Sequence, residues 1–125
     1  MAMSLRTPNA EAFEMAAKLG AIDIDFLDRV TFSDRGLARE VLQMFDKQAD
    51  SLLQVIRDTE STRMRLEIAH RLKGAARGVG AFPVAKAAED IESASDEIEL
   101  ANALSLLTVR VTEARMALAS LIGNA

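Results

Sequence analysis

Two stretches of this sequence carry apolar residues at intervals that alternate between four and three. The first runs Ala38, Leu42, Phe45, Ala49, Leu52, Ile56, and the second Leu100, Leu104, Leu107, Val111, Ala114, Leu118, Leu121. That alternation keeps one face of an α-helix apolar along its whole length, and it is the spacing of helices packed side by side. Val41 and Leu53 widen the first stripe to a core-facing surface. A chain patterned in this way must bury each stripe against other helices. The available side chains agree: aromatics make up 4% of the sequence, with no Trp or Tyr, so the core must be built from Leu, Ile, Val, Ala, Met and five Phe. Ala, Leu, Met, Glu, Lys and Arg favour helix, and the residues that strands favour are sparse.

Stop and start signals divide the chain around these two helices. Asn9 is placed to cap a short helix through Leu19, ended by Gly20, and the first eight residues read as loose. A helical turn is expected from Asp23 to Val30, with Ile24, Leu27 and Val30 covering one end of the core. Ser33 or Asp34 can cap the long helix that runs to about Asp58. After the polar link Thr59-Glu60-Ser61, a helix from about Thr62 to Val79 places Ile68, Leu72, Ala75 and Val79 on one line. Gly80 ends it, and Pro83 suits the first turn of a helix to about Ala94 with Val84, Ala87, Ala88, Ile91 and Ala94 inward. The last helix follows Ser95-Asp96, runs to about Ile122 and stops at Gly123. Short links between four amphipathic helices predict an all-α fold: an antiparallel up-down-up-down four-helix bundle, with one or two short N-terminal helices across one end. At 125 residues it is expected to be one domain, and one chain has helices enough to form the bundle as a monomer.

Composition excludes several functions. The absence of cysteine rules out disulfides, thiolate nucleophiles and Cys-based zinc sites, and fits a reducing cytosol. The start MAMSLRTPNAEAFE lacks the uninterrupted apolar stretch of a signal peptide. No segment approaches the roughly 18 apolar residues of a membrane span, so a cytoplasmic protein with no membrane partner is expected. The net charge is −4, yet the stretch from Arg63 to Lys86 holds six bases against one acid, a local +5 that leaves −9 elsewhere. A basic island on an acidic chain suggests one anionic partner. RNA is disfavoured, because that face has no aromatic residues on which bases would stack.

His70 is the only histidine. At 100° per residue it points about 170° from the Ile68–Leu72–Ala75–Val79 line, into solvent. The outward stripe reads Arg63, Leu66, His70, Lys73, Gly74, Arg77. A surface histidine, a few bases and a helical glycine are each ordinary; together on one face they form a set. A neutral imidazole is a nucleophile near physiological pH, and an ammonium one turn away can stabilise phosphoryl oxygens. A mid-helix glycine costs about 1 kcal/mol against alanine, and the gap it leaves lets another backbone approach. Leu66 offers that partner a dry contact. A general base on a convex face lacks both pocket and orienting partner, and inward Glu and His pairs for a bundle metal site are absent. No phosphate-binding loop of the G-x-x-x-x-G-K-[ST] kind occurs.

The run from Ala69 to Gly80, AHRLKGAARGVG, closely resembles the signature of histidine-containing phosphotransfer (HPt) domains: a helical H-x-x-K-G, then a small residue and later a glycine, here His70, Lys73, Gly74, Ala75 and Gly80. The flanks match too, with Phe45 and Ala49 on the preceding helix and Ala88-Glu89-Asp90-Ile91-Glu92 on the following one, so that the similarity spans roughly Ile24 to Leu121. The resemblance implies that His70 accepts a phosphoryl group from the aspartyl-phosphate of a response-regulator receiver domain and passes it to another. Lys73 then assists the phosphoryl group, and Gly74 gives the receiver clearance. Some members orient the imidazole with a polar residue from the neighbouring helix, for which Lys86 and Glu89 are candidates. Arg77 stands where many members carry a smaller residue, and with Arg63 and Leu66 it is read as a partner contact. Receivers, and a hybrid histidine kinase, are the implied partners. The Mg²⁺ belongs to the receiver, so the chain is expected to have no cofactor of its own and to be a carrier rather than a kinase. The alternative is a phosphorylation-independent module that docks a receiver or kinase through the same stripe.

Overall fold

The computed structural model describes residues 20–123, and all regular structure among them is helical. The elements are α1 (Ile24–Val30), α2 (Arg35–Asp58), α3 (Thr62–Val79), α4 (Phe82–Ser93) and α5 (Glu97–Gly123). The expected Asn9–Leu19 helix and the loose first eight residues lie outside the described residues. None of these helices is long and apolar enough to cross a membrane.

Helix boundaries follow local hydrogen bonding. Asp23 Oδ1 accepts the Phe26 N–H at 3.0 Å, Asp34 Oδ1 the Leu37 N–H at 3.0 Å, and Ser61 Oγ the Met64 N–H at 3.1 Å. Each satisfies a donor that the first turn leaves without a helical partner. Asp34, not Ser33, is therefore the cap of α2. Asp96 Oδ1 accepts the Glu99 N–H at 2.7 Å, while Glu99 reaches back to the Ser95 N–H at 2.8 Å. The far end of α2 is closed by Arg65, which donates to the carbonyls of Ile56 and Thr59. One member of the basic island is thus a helix cap.

Contacts run from α2 to α3, α3 to α4, α4 to α5 and α5 back to α2. The four long helices close a ring around Leu42, Phe45, Ile56, Leu72, Ile91 and Leu107, all buried, with α3 and α5 at opposite corners. Every residue of the first apolar stripe is buried. The second is buried from Leu107 to Leu118, while Leu100, Leu104 and Leu121 only flank the core. Across the α2–α5 seam, Arg115 holds Asp46 at 2.7 Å and Asp50 at 3.1 Å. The hydrogen bond to Asp46 raises the guanidinium pKa, outweighing a smaller opposing effect of burial.

Three expectations about facing need correction. On α3 the buried set is Ile68, Ala69, Leu72, Ala76 and Val79, and Ala75 is half-buried. The inward direction is thereby rotated by roughly 40° from the expected line. Ala94 caps α4 and is half-buried, since the helix ends there. Val30 is exposed, because the chain turns sharply after it through Phe32 and Ser33, both with positive φ.

The α3–α4 turn rests on Gly80. Its φ of +84° is left-handed, and the Ala81 N–H returns to the Ala76 carbonyl at 2.9 Å. The Gly80 carbonyl accepts the Asp23 N–H at 2.8 Å, so the same residue seats α1. A Cβ at Gly80 would lie 3.0 Å from the Asp23 carbonyl oxygen and 3.1 Å from the Phe26 ring, whereas at Gly78 it would meet nothing within 4 Å. Gly80→Ala is therefore expected to destabilise the protein by about 2 kcal/mol or more. Gly78→Ala is expected to stabilise it by about 0.5–1 kcal/mol. Urea unfolding midpoints of the two variants and the wild type check both signs.

Candidate functional site

The site is assembled where α4 folds back beside α3. Pairings across the two helices run in opposite order: His70 and Lys73 meet Glu92, and Arg77, further along α3, meets Glu89, earlier on α4. His70 lies eleven residues before Ala81 and Glu92 eleven after it, so folding the chain at this turn brings them level.

His70 faces solvent as expected, with its side chain 72% exposed, and its Nδ1 lies 3.2 Å from Glu92 Oε2. Glu92 is the residue that sequence reasoning missed. The two candidates chosen in its place turn elsewhere: Lys86 to Asp90 at 3.3 Å, Glu89 to Arg77 at 3.9 Å. Reflection of the sequence about Ala81 pairs position 70 with position 92 and would have pointed to Glu92.

Lys73 departs from expectation. It does not stand on an open face; its side chain is only 13% exposed, and its Nζ lies 2.6 Å from Glu92 Oε1. The rotation of α3 explains this. With Ala69 and Ala76 turned inward, Lys73 points sideways toward α4 instead of outward. One carboxylate therefore joins His70 and Lys73, one oxygen to each. Burial pushes the Glu92 carboxyl up, but hydrogen bonds and charge from Lys73 and then His70 outweigh that effect and leave its pKa below the usual value. An ionised carboxylate only accepts hydrogen bonds, which assigns the proton of a neutral His70 ring to Nδ1 and leaves the lone pair on Nε2. Among the described residues Nε2 has no hydrogen-bond partner.

The rest of the stripe is placed as follows. Gly74 is exposed, with nothing within 4 Å of where a Cβ would stand. Leu66 is exposed one turn before His70. Arg63 pairs with Glu67 at 3.3 Å on its own helix. The basic island is weaker than the sequence suggested, because α4 lays Glu89, Asp90 and Glu92 against it. Counted with Glu67, four acids now face six bases.

Glu92 gives a pH-dependent stability. Its carboxyl binds a proton less readily in the folded than in the unfolded chain, so its contribution is complete above about pH 4.3 and is lost as pH falls through the lower folded value. Glu92→Gln is expected to destabilise the protein by about 1–3 kcal/mol at neutral pH. Urea unfolding should show the gap between wild type and variant narrowing as the pH falls below the ordinary carboxylate range.

Comparison with known proteins agrees with this geometry. A family model described as Hpt domain matches residues 40–122, which contain α3, α4 and the whole His70–Lys73–Glu92 cluster. No curated protein and no solved structure matches the chain. With two thirds of its length under that model, the chain belongs to the Hpt domain family, the histidine-containing phosphotransfer domains of two-component signalling.

Proposed function

We propose that this chain is a phosphorelay carrier that accepts a phosphoryl group on His70 from the aspartyl-phosphate of one receiver domain and delivers it to another. The observation that carries this reading is the His70–Glu92 contact. It holds the ring with Nδ1 inward and directs Nε2, with its lone pair, to solvent. In the proposed step the Nε2 lone pair attacks phosphorus in line, the N–P bond forms, and the bond from phosphorus to the aspartyl oxygen breaks, releasing the receiver's carboxylate. No proton has to leave Nε2, because the ring proton is already on Nδ1. Glu92 offsets the positive charge that develops on the ring.

Lys73 is the proposed stabiliser of the phosphoryl oxygens, moving from Glu92 to the incoming anion. Gly74 gives the receiver backbone room, and Arg63, Leu66 and Arg77 are the proposed docking contacts. Mg²⁺ is supplied by the receiver. The proposed scaffold is the antiparallel up-down-up-down bundle, supported by links of two or three residues and by the opposed order of the α3–α4 pairings. The cell compartment in which such a relay works is the cytoplasm. Family membership supports a carrier rather than a kinase.

The test is intact mass after incubation with a phosphorylated receiver and Mg²⁺. Wild type is expected to gain one acid-labile phosphate, His70→Gln none, and Lys73→Met to gain it at least tenfold more slowly. A wild type that binds receivers but never gains phosphate would instead be a docking module. Self-phosphorylation from ATP alone would overturn the carrier assignment.

A further inference from the structure

Giving a phosphoryl group away asks something of the ring that accepting one does not. Once Nε2 holds phosphorus and Nδ1 a proton, the ring itself is cationic. Two fates are then open to it. With the proton kept, the next aspartate oxygen attacks phosphorus, the O–P bond forms, and the electron pair of the N–P bond returns to Nε2. The ring departs as neutral imidazole, still protonated on Nδ1. With the proton lost to water, the same step would have to expel an imidazole anion, a far poorer leaving group. The proton on Nδ1 therefore decides whether the loaded ring can deliver.

The structure aims one anion at that proton. Glu92 Oε2 lies 3.2 Å from Nδ1, on a different helix from the ring. Its carboxyl pKa is lowered, so it is ionised at neutral pH. Other charged groups on the helices around the ring are engaged elsewhere. Glu67 pairs with Arg63 along α3, Arg77 with Glu89 across to α4, and Lys86 with Asp90. On α2, Asp46 and Asp50 are held by Arg115 of α5. Lys73 shares Glu92 through Oε1. In the proposed transfer it moves to the phosphoryl oxygens, and the carboxylate then serves the ring alone.

We propose that Glu92 keeps Nδ1 protonated while Nε2 carries the phosphoryl group, and so holds phospho-His70 in its donating form into alkaline pH. The proposal rests on the carrier reading and concerns its delivering step. Glu92 acts through the ring, as a positioning residue. An anion beside the ring favours the protonated form, so removing it lowers the pH at which the proton leaves. An opposite charge at this distance moves such a midpoint by about 1–3 pH units. The ring is 72% exposed, so solvent screening puts the expected shift at the low end, about one unit.

His70 is the only histidine, so a chain made with ¹⁵N-labelled histidine shows a single imidazole by NMR. The full chain is phosphorylated with phosphoramidate, with no receiver present, and titrated. Phosphorus is expected on Nε2, and in the wild type Nδ1 is expected to be bonded to hydrogen at about pH 7. In Glu92→Gln the proton should leave about one pH unit lower, with the helical circular dichroism spectrum retained. Glu89→Gln removes the same charge one turn away and should move the midpoint by less than half as much. Loss of phosphate should slow as the pH rises through the midpoint of each protein. Equal midpoints in wild type and Glu92→Gln, or as large a shift in Glu89→Gln, would overturn the proposal. So would a loss rate indifferent to the midpoints. The wild type alone also decides: Nδ1 without a proton at about pH 7, phosphorus on Nδ1, or no phosphorylation at all would equally overturn it. No receiver takes part, so these outcomes are distinct from failure of the carrier reading, in which a phosphorylated receiver does not load His70.

Discussion

The turn at Gly80 and Ala81 sets the register between α3 and α4, and the site depends on that register. A side chain on one helix can meet only a few positions on the next, and a shift of one residue rotates it by about 100°. The left-handed glycine, the returning Ala81 N–H and the seat it gives to Asp23 hold the two helices in the one alignment that places Glu92 beside both His70 and Lys73. The packing of α1 is part of the same arrangement, since Phe26 meets Phe82 edge-on at 5.2 Å just past the turn.

Glu92 then governs the electrostatics. Left unpaired, Lys73 at this depth would be costly to bury. Paired, it and Glu92 form a cation and anion whose separation is set by two packed helices rather than by flexible side chains. His70 draws on the same carboxylate from the solvent side. The imidazole is thereby oriented without being enclosed, as the proposed transfer to a receiver domain requires.

Much of this was legible in the sequence. The α2 stripe, the limits of α3 at Thr62 and Val79 and the stop at Gly80 follow from periodicity and capping chemistry, and His70 was correctly placed in solvent. Errors arose where an answer depended on a neighbouring helix. Alanine is compatible with either a buried or a boundary position, so choosing Ala75 over Ala69 and Ala76 turned α3 slightly and put Lys73 on the wrong face. The charge of the basic island was overestimated for the same reason: the acids that neutralise it follow Lys86 in the sequence yet lie beside it in the fold. Glu92 itself carries no local mark distinguishing it from Glu89.

The Arg115 clasp has a consequence for the order in which the molecule assembles. Its partners lie 69 and 65 residues away in the chain, so closing α5 onto α2 is the longest-range event in the fold. His70 and Glu92 are separated by only 22 residues, most of them within two helices joined by a tight turn. Loop-closure entropy favours the second contact over the first. The His70–Glu92 pair thus belongs to a hairpin that can form ahead of the closed ring, and loosening of the α2–α5 seam leaves that hairpin's own contacts in place.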